Sequence, residues 1–249
     1  MEYDFKDQTI LITGGTGALG SKVTELFAKY SPKAIIVTYR SERERVETEK
    51  TLKTQTDVHD IGNSRTRIEF VQADLLNEDD VQGLVNKIID KLDQIHVLVN
   101  LVGGYFGGKS VDEITLQEWD KMMDMNLKSA FLISKHVLKS MKKNHFGKIV
   151  HVSSASGDKA NGKDSAYATS KAGLIRLVDS IKEEAKGFKI NINCILPTII
   201  DTGANRLAMP SADFSSWINP KDLARLIIYL CSEDSKVING EAIKTSGYS

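Results

Sequence analysis

The chain has 249 residues, 41% apolar and 27% charged, and its 33 basic residues balance 33 acidic ones. This length and composition predict a globular protein with a substantial core, one domain over 1–249, and the zero net charge excludes a global attraction to nucleic acid or an anionic membrane surface. No stretch approaches a membrane span, MEYDFKDQTI is too polar for a secretion signal, and Cys194 and Cys231 sit in apolar runs, so a reducing cytoplasm is the expected compartment.

In chain order, the first expected element is a buried strand, TILIT at 9–13, which runs into TGGTGALG and a helix over about 19–30. Glycines after a strand and before a helix allow a tight turn whose backbone approaches a phosphate held by free helix amides. Gly14, Thr16, Gly17, Ala18, Leu19 and Gly20 are therefore candidate dinucleotide contacts, with a purely structural glycine turn as the alternative. A second strand, AIIVTY at 34–39, ends in Tyr39, Arg40 and Ser41, with no acid before Glu42. An acid there would accept from an adenosine ribose, whereas a guanidinium fork and a hydroxyl suit a 2′-phosphate, so NADP(H) is favoured and NAD(H) stays open. Arg40 also fits the solvated mixed-charge helix that follows, over about 41–54.

Residues 54–67 read as a polar surface loop. Further strands are expected at 67–73, 95–100, 148–154 and 189–196, with helices over about 78–92, 116–143 and 165–186. A last helix at about 220–231 precedes a short strand near 241–245. Alternating strands and helices predict an α/β fold, a Rossmann-like doubly wound parallel sheet with helices on both faces. The five histidines have no ligand spacing, so no metal site is expected.

SAYATSKAGL, at 165–174, sets Tyr167 four residues before Lys171, on one face of the expected helix. An ammonium beside a phenol favours the phenolate and so makes the tyrosine a better proton donor. Taken alone, the pair also fits an ordinary helix surface. The ordered set of motifs, however, resembles the short-chain dehydrogenase/reductase family over nearly the whole chain. TGGTGALG is similar to its cofactor loop, and ADLL, with Asp74 and Leu75, to its adenine-side segment. VNLVGG stands where the family has Asn-Asn-Ala-Gly, matching at Asn100 and Gly103 and departing at Leu101 and Val102. MNLKSAF supplies Asn126, HVSSASG supplies Ser154, YATSK is the family's Tyr-x-x-x-Lys, and ILPTIIDT keeps Pro197 with Thr198 in a glycine's place. Ala18 stands where the classical branch has glycine, a spacing shared with sugar-nucleotide epimerases, but the short stretch after Pro197 favours the classical architecture. Gly15 and Thr16 offer no basic residue inside the loop, which removes one expected contact to NADP(H).

The resemblance implies hydride transfer between a nicotinamide and a carbonyl or alcohol of a small molecule. Tyr167 is then the acid, Ser154 the second donor to the carbonyl oxygen, and Lys171 the group that lowers the phenol's pKa and holds the ribose. Asn126 holds a water on the proton path. Val102, Ile200 and Thr202 join the cofactor contacts. A 3-oxoacyl thioester and a small ketone or aldehyde are comparable substrates. A non-catalytic NADP-binding scaffold or redox sensor and an epimerase are the alternatives. Residues 198–218 are expected to form a substrate lid with Met209, Phe214 and Trp217, which fit equally well as packing under a surface loop. LVGGYFGG (101–108) is expected to line the same cleft. Apolar residues on more than one face of the 116–143 helix suggest burial beyond one domain, or a helix buried wholly in its own subunit, and the family resemblance implies a homotetramer or homodimer.

Overall fold

The computed structural model describes residues 3–56 and 66–247. Most of the loop expected at 54–67 lies outside the described residues. Seven strands form one parallel sheet: β1 (Thr9–Thr13), β2 (Ala34–Tyr39), β3 (Arg67–Gln72), β4 (Val97–Asn100), β5 (Phe146–Val152), β6 (Lys189–Pro197) and β7 (Ala242–Thr245). Their order is β3-β2-β1-β4-β5-β6-β7, so chain order reverses between β1 and β4 and opens a crevice beyond their C-terminal ends. Continuous apolar runs such as TILIT and AIIVTY are buried on both faces, as a parallel sheet requires.

Helices cover each face. One layer comprises α1 (Ala18–Ala28) and α9 (Pro220–Cys231), which pack with Ile10, Ile12, Ile35 and Val99. The other comprises α3 (Glu78–Leu92), α5 (Ser129–Asn144) and α7 (Ser165–Glu184), against Leu11, Ile36, Leu98 and Ile149. The mixed-charge helix α2 (Glu42–Thr56) follows β2, and α4 (Leu116–Met123), α6 (Ala155–Asp158) and α8 (Gly203–Ala208) are shorter pieces. Among the described residues no helix is long and apolar enough to cross a membrane.

Two expectations change. The helix foreseen at 116–143 is interrupted by a π-helical stretch at Asp124–Lys128, and β5 stops at Val152, which leaves Ser153 and Ser154 beyond the strand. Hydrophobic periodicity does not distinguish α from π winding, because the local repeat changes for one turn only. Most apolar residues of that long segment are buried in their own chain, but Leu116 and Phe131 are 74% and 46% exposed.

The centre of the sheet carries a buried polar chain. Thr13 Oγ1 donates to Asn100 Oδ1 at 2.5 Å, Asn100 Nδ2 contacts His151 Nδ1 at 3.1 Å, and His151 Nε2 meets Ser134 Oγ at 3.1 Å. An amide donating to Nδ1 leaves Nε2 protonated, so the ring is neutral and donates to Ser134. Burial, helped by the Lys171 charge, pushes the His151 pKa down to about 3. Because the unfolded histidine protonates near pH 6.5, unfolding takes up a proton once the pH drops below that value. Stability should therefore fall by about 1.4 kcal/mol per pH unit between roughly pH 6.5 and 3 on this account. Urea unfolding at pH 7.5 and 5 should show the loss, and His151→Asn should flatten it; an equal slope in both proteins contradicts the assignment.

Candidate active site

The sequence-derived cofactor candidates lie at or beyond the C-terminal ends of the strands. Gly14 has φ +67, a left-handed turn that favours glycine, and its carbonyl accepts from Gly17 N at 3.1 Å. A Cβ on Gly20 would lie 2.2 Å from the Gly14 carbonyl oxygen, so α1 approaches the loop at a distance closed to other residues. The first turn of α1 contains no acid, and its unpaired amides can accept an anion. Leu19 and Leu75 turn their side chains into the core, so only their backbones face the edge. Thr16 Oγ1 lies 3.5 Å from Glu44 Oε2, and Asp74 is exposed, its Oδ1 accepting from Leu76 N at 2.9 Å.

At the end of β2, Tyr39 OH donates to Glu42 Oε1 at 2.6 Å, and Arg45 Nε donates to Glu42 Oε2 at 2.7 Å. These contacts hold the Glu42 carboxyl below its usual range and tie Tyr39 to its own helix. Arg40, also exposed, pairs with no carboxylate among the described residues. Val102 is half-buried against the core, and a Cβ on Gly14 would sit 3.2 Å from its backbone nitrogen, which shows how closely the β1 and β4 loops pack.

The candidate chemical residues converge from β5, α7 and the π-helical stretch. Tyr167 and Lys171 share one face of α7, with Lys171 Nζ 5.9 Å from the phenol ring centroid. Ser154 follows β5, and its hydroxyl accepts from Ser156 N at 3.2 Å and lies near enough to the Tyr167 phenol to favour its ionised form. Lys171 is buried and donates to the Val152 carbonyl at 2.9 Å. Burial lowers its pKa to about 8.

The Tyr167 pKa departs from expectation. It is raised, because burial outweighs the favourable Ser154 contact and the nearby Tyr105 and Asp164 charges oppose ionisation further. Lys171 Nζ lies 5.9 Å from the phenol ring and gives its hydrogen bond to the Val152 carbonyl at the end of β5.

Asn126 is fully buried in the π-helical stretch. Its Oδ1 accepts from Gly104 N at 2.9 Å, and its Nδ2 donates to the Gly104 carbonyl at 3.1 Å and to Ser170 Oγ at 3.0 Å. Ser170 in turn donates to the Tyr167 carbonyl at 2.7 Å, so the asparagine ties the β4 loop to the Tyr167 turn. A Cβ on Gly103 would fall 2.9 Å from Asn126 Oδ1 and 3.0 Å from Lys171 Nζ, and only glycine lets the loop come this near. Ser170 lies within YATSK and Ser153 directly before Ser154, and neither is marked by a motif of its own. Ser153 Oγ donates to the Lys171 carbonyl at 2.9 Å and so fixes α7 against β5.

After β6, Pro197 is buried and Thr198 exposed. Ile200 pairs with Ile218, which ties the two ends of the expected lid together. Thr202 caps α8 by accepting from Asn205 N at 3.1 Å. Of the lid's large side chains Trp217 is buried, its ring 4.6 Å from that of Phe214, while Met209 and Phe214 are half-buried. Trp217 is thus packing beneath the segment. Tyr105, from LVGGYFGG, is 68% exposed and sets its ring edge-on to Tyr167 at 4.9 Å.

Known proteins share this arrangement. The family model described as short chain dehydrogenase matches residues 8–211. The 3-oxoacyl-acyl-carrier-protein reductase FabG of Aquifex aeolicus (strain VF5) is 27% identical, with 99% of each chain covered. A short-chain type dehydrogenase/reductase from Mycobacterium ulcerans superposes with TM-score 0.88 at 20% identity, over 97% of this chain and 89% of that one. ElxO with NADP bound superposes with TM-score 0.84 at 26% identity, over 95% and 96% respectively. With the family model spanning the glycine loop, the serine, and the tyrosine–lysine turn alike, the chain belongs to the short-chain dehydrogenase family of nicotinamide-dependent oxidoreductases.

Proposed function

We propose that the protein is an NADP(H)-preferring reductase acting on the carbonyl of a 3-oxoacyl thioester or of a small ketone or aldehyde. The observation that carries this reading is the buried Lys171 ammonium 5.9 Å from the Tyr167 ring, with buried Ser154 placed where its hydroxyl favours the phenolate. The dinucleotide would be held by the Gly14–Gly20 loop, Tyr39 to Ser41, Asp74 and Leu75, Asn100 to Gly103, and the segment from Pro197 to Thr202. The left-handed Gly14 and the Cβ-free Gly103 let these loops pack closely against Val102, Asn126 and Lys171. When bound, the dinucleotide supplies the hydride.

This chain's residues do the rest. Ser154 and Tyr167 offer two hydroxyl donors to one carbonyl oxygen, where negative charge grows during reduction. Tyr167 gives that oxygen its proton. Lys171 stabilises the phenolate left behind and would hold the ribose, while Asn126 keeps the β4 loop and the Tyr167 turn in register. By family likeness the protein would work in the cytoplasm as a homotetramer or homodimer, and exposed Leu116 and Phe131 suit a two-fold contact.

The preference for NADP(H) rests on Arg40. Gly15 cannot supply the missing basic side chain, because a Cβ there would lie 2.6 Å from Val37 Cγ1. Arg45 is already committed to Glu42 and Glu49. Arg40→Ala should weaken NADPH binding by about 10- to 100-fold, the size of one charge-assisted contact, with little effect on NADH. Fluorescence titration of both cofactors checks this, and equal loss for the two would remove the preference. NADPH oxidation against a panel of carbonyls tests the activity itself; tight binding without oxidation of any member would favour a non-catalytic scaffold.

A further inference from the structure

Beside Ser154 lies a cleft of about 350 Å³ that the proposed chemistry does not use. One wall is Ala155 to Asn161, which follows the serine directly, and the other is Thr198 with the end of β7, Lys244 to Ser246. Two cations line it from different elements. Lys244 Nζ is held by Asp158 Oδ2 at 2.6 Å, which fixes the ammonium while leaving two of its three donors uncommitted. Lys159 forms no ion pair with any described residue. With Asp158 counted, the cleft keeps one net positive charge.

Its polar lining is also uncommitted. The side chains of Ser156, Asn161 and Ser246 donate to no described residue. Positive charge and free donors in one cleft describe an anion site. The volume is at the small end for ligand pockets, which suits a short chain ending in a carboxylate.

We propose that this cleft is a subsite for the carboxylate of a short oxo acid, clamped by Lys159 and Lys244 while its carbonyl meets Ser154 and Tyr167. The proposal rests on the reductase reading above for the second half of that statement, but not for the first. The test therefore has one arm that needs turnover and one that does not.

In the turnover arm, NADPH oxidation is followed with levulinate and with its neutral isostere, methyl levulinate. The wild-type kcat/KM should favour the acid, and the ratio should fall about tenfold in K159Q or K244Q and vanish in the double variant. In the binding arm, saturation-transfer NMR compares pentanoate with pentanamide, neither of which can be reduced. Pentanoate should bind and pentanamide should not, and the double variant should lose the difference. Turnover with no preference for the acid, or pentanoate binding that survives in the double variant, would overturn the subsite and leave the reductase reading intact. Lysine-dependent binding of pentanoate without turnover of any carbonyl would support the subsite and sink the reductase reading instead. Inorganic phosphate displacing pentanoate at lower concentration than pentanoate itself binds would overturn the choice of a carboxylate.

Discussion

Tyr167→Phe should lower turnover by about 10³-fold, within the range that a positioned general acid contributes, while NADPH binds much as before. The substitution keeps the ring, and with it the edge-on contact to Tyr105 at 4.9 Å, and removes only the hydroxyl. Burial holds the phenol's pKa above its ordinary value, so in the free protein it stays protonated throughout the neutral range. A proton is thus always present to give. What the reaction then needs is stabilisation of the phenolate after the proton has left, which the Lys171 ammonium supplies. Ser154 offers part of it, since its hydroxyl is the contact that favours the ionised form. Ser154→Ala should therefore also slow the reaction, by less than Tyr167→Phe. Steady-state and single-turnover rates with one carbonyl substrate check both variants. Wild-type turnover in Tyr167→Phe would end the proposed mechanism, because the hydroxyl removed is its proton source.

Much of this could be read from the residues in order. The strands were legible because apolar runs such as TILIT have no other place than a sheet buried on both faces. The glycine loop was legible because a left-handed Gly14 and a Cβ-free Gly20 are demanded by the backbone itself. Helical spacing put Tyr167 and Lys171 on one face, but only the resemblance carried by the ordered motifs singled the pair out. The electrostatics between them were not legible. Spacing places the ammonium near the phenol but does not say that the Val152 carbonyl accepts its hydrogen bond, because that contact joins residues 19 positions apart. Asn126 was found as a residue, but its setting, a π-helical turn locked to Gly104 and Ser170, depends on long-range hydrogen bonds that leave no periodic trace. The same holds for His151, which reads as one polar residue in a strand and proves to be the middle of a four-residue chain.

Lys171→Met should stabilise the cofactor-free protein while nearly abolishing its activity. The lysine is buried and has no carboxylate partner among the described residues, and its pKa falls from 10.5 to about 8. A lowered lysine pKa means that the unfolded chain binds the proton more tightly than the folded one between those two values. Stability is therefore lost as the pH falls from 10.5 to 8, and below 8 the penalty is fully present. At pH 7 it is on the order of 3 kcal/mol, less whatever the hydrogen bond to Val152 returns, so the variant should gain about 1–3 kcal/mol in urea unfolding. Methionine has a similar reach and suits the apolar part of the site. Function carries the opposite sign. If reduction needs the ammonium, wild-type kcat/KM should be level below pH 8 and fall about tenfold per pH unit above it. Lys171→Arg, whose charge does not titrate in this range, should keep some activity and lose that alkaline limb. A limb that stays at pH 8 in the arginine variant belongs to another group. A methionine variant that is less stable than the wild type would mean that the ammonium is held there for the fold, and not in spite of it.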